Sequence, residues 1–170
     1  GGVGSMAVAI FSKAGYDVHA VSGKADQAGY LRSLGAREVL GRDALEAAGP
    51  LESVRFGGGL DNVGGPMLVS LLAQTVPYGN VAAAGLAASP GLEALTVMPF
   101  ILRGVSLLGI GSAGTARDIR DDIWALLADD WKPARLDAIA TAEVTLAELP
   151  QVFARMLAGQ SLGRTVVRLD

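Results

Sequence analysis

Short β-rich runs alternate with segments of helical periodicity along this chain, and that alternation constrains the fold more than any other feature. Val3, Ala7, Ile10 and Ala14 recur at i, i+4, i+7 and i+11, a single apolar stripe. It predicts a helix from Gly2 to Ala14, with Gly15 closing it. Asp17 to Ser22 reads as a strand, residues 25–34 as a helix closed by Gly35, and Glu38-Val39-Leu40 as a short strand. Asp43 to Ala48 suggests a brief helix that Pro50 breaks. Gly57 to Val63 reads as a glycine-rich strand and turn, and Gly64-Gly65-Pro66 launches a helix through Met67, Leu68, Leu71 and Leu72, proline being suited to a first helical turn. A strand is predicted from Asn80 to Leu86, a short helix from Pro99 to Arg103, and a buried strand from Val105 to Ile110.

Farther on, Ile119, Ile123, Leu126 and Leu127 share one helical face, as do Leu149, Val152, Phe153, Met156 and Leu157. Thr145 to Glu148 has the form of a capping box. Pro150 would press on the carbonyl of Leu146, so that helix is expected to start near Glu148. Gly159 closes it, and Thr165 to Leu169 is a final strand. Strands alternating with helices imply βαβ units, and right-handed crossovers then give an α/β, doubly wound parallel sheet of Rossmann-like form.

Composition agrees. Of the 170 residues, 51% are hydrophobic but only 5% aromatic, so the core must be aliphatic, as in parallel strands covered on both faces. The net charge is −3, with no basic block, which argues against nucleic-acid binding. There is no cysteine, hence neither a disulfide nor a thiolate zinc site, and no metal is expected. No apolar run reaches a membrane span and no signal-peptide pattern opens the chain. The expectation is a soluble, cytoplasmic domain without a membrane or nucleic-acid partner.

Gly1-Gly2-Val3-Gly4-Ser5 leads directly into the first helix. A helix start carries unpaired N–H groups and a partial positive charge. A diphosphate can sit there if the backbone is bare enough. An ordinary helix start behind a glycine turn fits the same five residues, so the motif needs its context. Part of that context is a ribose-contacting position about 20 residues on. There the strand ending at Ser22 is followed by Gly23 and Lys24. An NAD site would place a carboxylate at this strand end. A carboxylate would repel a 2′-phosphate, whereas Ser22 can hydrogen-bond it and Lys24 can pair with it. Arg42, beyond the next strand, is expected to help. Taken alone, Lys24 reads equally well as a surface lysine. Together with the glycines it points to NADP(H). The strand that should precede the glycines is not within the sequence. The sheet is therefore expected to lack its first strand, and the sequence to be part of a longer polypeptide.

The stretches GGVGSMAVAI, VSGKADQAGYLRSLGA, LDNVGG, AAAGLA, VMPFILRGVSLLGIGS and AGQSLGRTVVRLD span nearly all of the chain. In them it resembles the cofactor-binding part of the medium-chain dehydrogenase/reductases. Within that superfamily it is most similar to the zinc-free, quinone-oxidoreductase-like branch that includes acryloyl-CoA reductases. The resemblance implies a two-domain subunit with a catalytic barrel first. Residues 1–140 would form the Rossmann domain, and 141–170 a helix and strand returning toward the catalytic domain. It implies reduction of an activated carbon–carbon double bond by NADPH, the substrate being an enoyl-CoA or a quinone. It implies cofactor contacts from Gly1, Gly2, Val3 and Gly4 to the diphosphate, and from Ser22, Gly23, Lys24 and Arg42 to the adenosine phosphate. Leu86 would approach the adenine or nicotinamide side of the cofactor, and Ile101 and Ser112 would lie near the nicotinamide. Core packing is the alternative for Leu86 and Ile101. The resemblance names no catalytic residue here. It also implies a homodimer through the strand at 105–110. The turn at Tyr78-Gly79, flanked by Pro77 and Asn80, is less glycine-rich than that branch leads one to expect.

Other candidates are weaker. His19 is the only histidine and suits a structural or surface role. Asp121, Asp122, Asp129 and Asp130 read as solvated charge. Asp61-Asn62 fits a turn at least as well as a site. Trp124 and Trp131, seven apart, are expected on one helix face. Two other readings stay open: a non-catalytic nucleotide-binding module, and a methyltransferase. The latter also uses a glycine-rich first turn but normally puts an acidic residue where Ser22 stands.

Overall fold

The computed structural model describes residues 1–46 and 49–169. The chain divides into two compact units. One comprises Gly1–Ala20, Lys24–Val39 and Arg120–Asp170, the other Val21–Gly23 and Leu40–Ile119.

In the first unit, helix α1 (Gly2–Lys13) buries Ser5, Val8 and Ala9. Val8 and Ala9 pack with Ala20, Leu34, Ala36 and Ile139 in an aliphatic core; the expected stripe is not the buried face, since Val3 and Ala14 at its ends are exposed. Residues 25–34 do not form one continuous helix. A 3₁₀ turn at Ala25–Gln27 precedes α2 (Ala28–Ser33), because the Gln27 N–H bonds the Lys24 carbonyl only three residues back. The sequence pattern gives no sign of α6 (Leu136–Ile139) or β6 (Ala140–Thr145). The β6 residues, Ala-Thr-Ala-Glu-Val-Thr, are small and alternate only weakly. They gain their strand from parallel pairing with β7 (Arg164–Arg168). His19 Nδ1 lies 3.3 Å from Glu38 Oε2, a contact between strand residues.

The capping box at Thr145 forms as expected. A 3₁₀ turn at Leu146–Glu148 precedes α7 (Leu149–Leu157), which puts Pro150 in its first turn, where no N–H is needed. Thr145 donates to the Glu148 carboxylate through its N–H at 2.7 Å and its hydroxyl at 2.9 Å. These bonds hold the Glu148 pKa below its ordinary value, with a smaller contribution from Arg168. A lowered carboxyl pKa adds stability above the ordinary glutamate range, and that stability is lost as pH falls through the folded value. Glu148→Gln is therefore expected to lower Tm at neutral pH and to match wild type in acid, as read by thermal denaturation across pH.

In the second unit, β3 (Phe56–Asp61), β4 (Thr75–Ala83) and β5 (Ser106–Gly109) form a parallel sheet in that order, with β5 at one end. Helix α3 (Gly65–Gln74) buries Leu68, Leu71 and Leu72 against Val81 and Val105. Arg103, ending α4 (Met98–Arg103), donates to the carbonyls of Ala73 and Glu52 and so closes the end of α3. β4 begins earlier than the sequence pattern suggests and stops earlier. Tyr78 takes a positive φ of 64° inside it, next to an irregular register between Phe56 and Gly58. The chain thus turns at Tyr78-Gly79 within a strand, with Tyr78 in the left-handed region that ordinarily favours glycine. Residues 42–45 form a 3₁₀ turn; the rest of the short helix expected to Ala48 falls partly on residues 47 and 48, outside the described residues.

Two further strands, β1 (His19–Val21) and β2 (Glu38–Leu40), pair with each other, so the strands form three sheets rather than one. The class is α/β and Rossmann-like, with parallel pairing in the sheets of β3 to β5 and of β6 and β7. Helix α5 (Arg117–Ala128) has no buried residue. Trp131 lies past its end, bonded through its N–H to the Leu126 carbonyl. Trp124 and Trp131 are both exposed and do not share a helix face. Among the described residues, no helix is long and apolar enough to cross a membrane.

Candidate functional site

The glycine loop belongs to the first unit. Gly1 is the N-cap of α1, with no side chain bonding the first turn. The first bond back to the loop is from the Ser5 N–H to the Gly1 carbonyl, 3.0 Å. This leaves the amides of Gly2, Val3 and Gly4 for a ligand. The loop is bare. A Cβ at Gly1 would meet nothing within 4 Å, whereas one at Gly2 would fall 2.8 Å from Arg164 Cγ and 3.2 Å from Arg164 Nε. The Arg164 side chain thus lies directly against the loop. Lys24 lies near Gly1 as well. The Lys24 ammonium donates to the Ser161 carbonyl, and Lys24 lines a cavity of about 230 Å³ with Asp26, Gln27, Gly159, Gln160 and Leu162. A diphosphate fits these groups: an uncapped helix start, bare backbone and the Arg164 guanidinium.

In the second unit, the Ser22 N–H bonds the Leu40 carbonyl at 2.9 Å. Arg42 crosses Gly23 so closely that a Cβ there would meet its Nε at 2.8 Å and its Cζ at 3.1 Å. Glycine at 23 is what lets the guanidinium lie over the chain. Because β3, β4 and β5 are parallel, their carboxyl ends share one edge of the sheet, where open α/β sheets take ligands. Asp61 ends β3. Its buried carboxylate accepts the N–H groups of Val63 (3.1 Å) and Gly64 (2.7 Å), which makes it a turn residue. Leu86 follows β4, and Ser112 sits in the 3₁₀ turn Ser112–Gly114 after β5, exposed. Ile101 lies on α4. Leu86 and Ile101 are 65% and 71% exposed, so neither is a core residue.

Sequence spacing brings the loop, Lys24 and the Ser22–Arg42 group into consideration. It does not reveal Arg164 or the Ser161 carbonyl, which stand at the far end of the chain. The one local sign is Gly163-Arg164 at the start of β7, a glycine that frees space beside an arginine. Among the described residues, no group of His, Cys, Asp or Glu side chains is placed to hold a metal ion.

These features define a Rossmann-like α/β chain with an uncapped, glycine-led helix start. The chain belongs to the zinc-binding dehydrogenase family, whose model matches residues 2–129. It is 45% identical over 172 residues to the acrylyl-CoA reductase AcuI of Ruegeria pomeroyi, covering all of this chain and 52% of that protein. Two solved structures are also similar. Escherichia coli K-12 YhdH with bound NADPH has a TM-score of 0.93 at 42% identity. Bacillus subtilis yhfP with NAD bound has a TM-score of 0.94 at 41% identity. Each match covers 99% of this chain and 52% of the other. The chain therefore spans about half the length of the relatives it matches.

Proposed function

We propose that this chain is the NADP(H)-binding part of a reductase that delivers hydride to an activated carbon–carbon double bond. The substrate class is a small enoyl thioester such as acrylyl-CoA, or a quinone. The observation that carries the reading is Lys24, held by a backbone carbonyl beside an uncapped glycine loop, with no carboxylate ending β1. The AcuI and YhdH relatives support it. The NAD bound to yhfP makes cofactor preference the point to test.

Gly1, Gly2, Val3 and Gly4 receive the diphosphate on their N–H groups, and Arg164 neutralises it from the side. Lys24 takes the 2′-phosphate, and the same role is assigned to Ser22, Gly23 and Arg42. Leu86 is assigned to the adenine or nicotinamide side, and Ile101 and Ser112 to the nicotinamide. The cofactor supplies the hydride. The enolate charge left on a thioester oxygen needs hydrogen-bond donors, and these belong to the catalytic domain of the complete protein. In that protein, residues 1–140 form the cofactor domain. Residues 141–170 return to the catalytic domain, in keeping with the exposed Phe153, Met156 and Leu157 of α7. The edge strand β5, with Leu108 and Ile110 exposed, pairs with a second copy in a homodimer. The proposed location is the cytoplasm.

Arg164→Ala in the complete protein is expected to weaken NADPH and NADH alike by about tenfold, the usual scale for one charged contact, as read by fluorescence titration. The reaction itself is tested by NADPH oxidation with acrylyl-CoA and with a quinone. Turnover of either supports the reading. Cofactor binding without turnover of any enoyl-CoA or quinone would instead identify a non-catalytic nucleotide-binding module.

A further inference from the structure

The diphosphate end of the proposed site is assembled from opposite ends of the chain, and one hydroxyl stands where they meet. Ser5, in the first turn of α1, is almost completely buried. The Tyr30 hydroxyl, from α2, donates to Ser5 Oγ at 2.9 Å. The same hydroxyl lies 3.0 Å from where a Cβ on Gly163 would stand. Gly163 is tightly enclosed. Its φ is +54°, and a Cβ there would fall 2.4 Å from the Ile139 carbonyl oxygen and 2.6 Å from Thr141 Cγ2. Its own carbonyl oxygen lies 3.2 Å from the Cβ position of Gly2. Two glycines, one on each side, thus let the phosphate loop and the start of β7 approach backbone to backbone. Tyr30 ties the helix side of that approach at Ser5 and packs against the strand side at Gly163. Arg164, the next residue, is thereby set against Gly2.

We propose that Tyr30 is a positioning residue for diphosphate recognition. Its hydroxyl fixes the first turn of α1 and the Gly163–Arg164 step at the spacing in which loop amides and guanidinium face one anion. This rests on the reading of the loop as a diphosphate site. A hydroxyl that served only the core would not separate ligands by whether they carry a diphosphate.

The test compares NADPH with adenosine 2′-monophosphate, which has the 2′-phosphate but no diphosphate. Both are titrated into complete wild-type protein, Tyr30→Phe, Ser5→Ala and the double variant. Tyr30→Phe is expected to raise the Kd for NADPH about fivefold to tenfold, the scale of one buried hydrogen bond. The Kd for adenosine 2′-monophosphate should stay within about twofold, as that ligand does not reach the loop. Ser5→Ala should match Tyr30→Phe, and the double variant should be no weaker than either, since both changes delete one bond. NADPH affinity unchanged in Tyr30→Phe overturns the proposal. So does an equal loss for both ligands, which would make Tyr30 a general support of the fold. Failure of wild type to bind NADPH would instead strike at the underlying reading of the loop, so the two failures are distinct.

Discussion

Replacing Lys24 by alanine in the complete protein should raise the Kd for NADPH about tenfold to a hundredfold and leave the Kd for NADH within about twofold. The magnitude is that of a hydrogen bond to a charged group, about 1.5–3 kcal/mol. The selectivity follows from position. Lys24 comes just after the end of β1, with its ammonium held by the Ser161 carbonyl. That hold limits the freedom the side chain would lose on meeting a phosphate. NADH has no 2′-phosphate and so forfeits little. Raising the salt concentration should shrink the difference between wild type and variant, because screening weakens a partly exposed pair. Equal losses for NADH and NADPH would mean that Lys24 serves the diphosphate or the fold instead.

The second large effect is on stability. Gly64 has φ +71°, and a Cβ there would stand 2.2 Å from the Ser89 carbonyl oxygen. Its N–H is bonded to the buried Asp61 carboxylate, so the peptide cannot rotate away without breaking that bond. Gly64→Ala therefore combines backbone strain with an overlap against main chain, which side-chain rotation cannot relieve. We expect a loss of about 3 kcal/mol or more, a fall in Tm on the order of 10 °C. Gly57→Ala is the control. Gly57 has no positive φ, and its Cβ would meet nothing within 4 Å, so a change within about 0.5 kcal/mol is expected. Equal Tm values for the two variants in differential scanning calorimetry would show that the turn after β3 is not as tight as described.

Local pattern made the fold class legible, because most helices and most strands carry their own periodicity. The first helix and the glycine–proline start of α3 both have direct counterparts in the structure, although α1 buries Ser5, Val8 and Ala9 rather than the stripe from Val3 to Ala14. β6 was not legible, since its residues alternate only weakly and depend on pairing with β7. Trp124 and Trp131 misled because a seven-residue spacing suggests one face only while the helix continues, and α5 ends at Ala128. The site was legible in the same proportion. Gly1 to Gly4 and Ser22 to Lys24 form a spaced motif within one stretch of chain. Arg164 and Ser161 reach that stretch only through folding, more than 130 residues away. Leu86 and Ile101 could not be separated from core residues until their exposure was known.

Preference for NADP(H) over NAD(H) is read most directly from the pair of dissociation constants for NADPH and NADH on the complete protein. The account predicts NADPH binding at least about tenfold tighter, the value of roughly 1.4 kcal/mol from one charged phosphate contact. NADH binding as tightly as NADPH would contradict it.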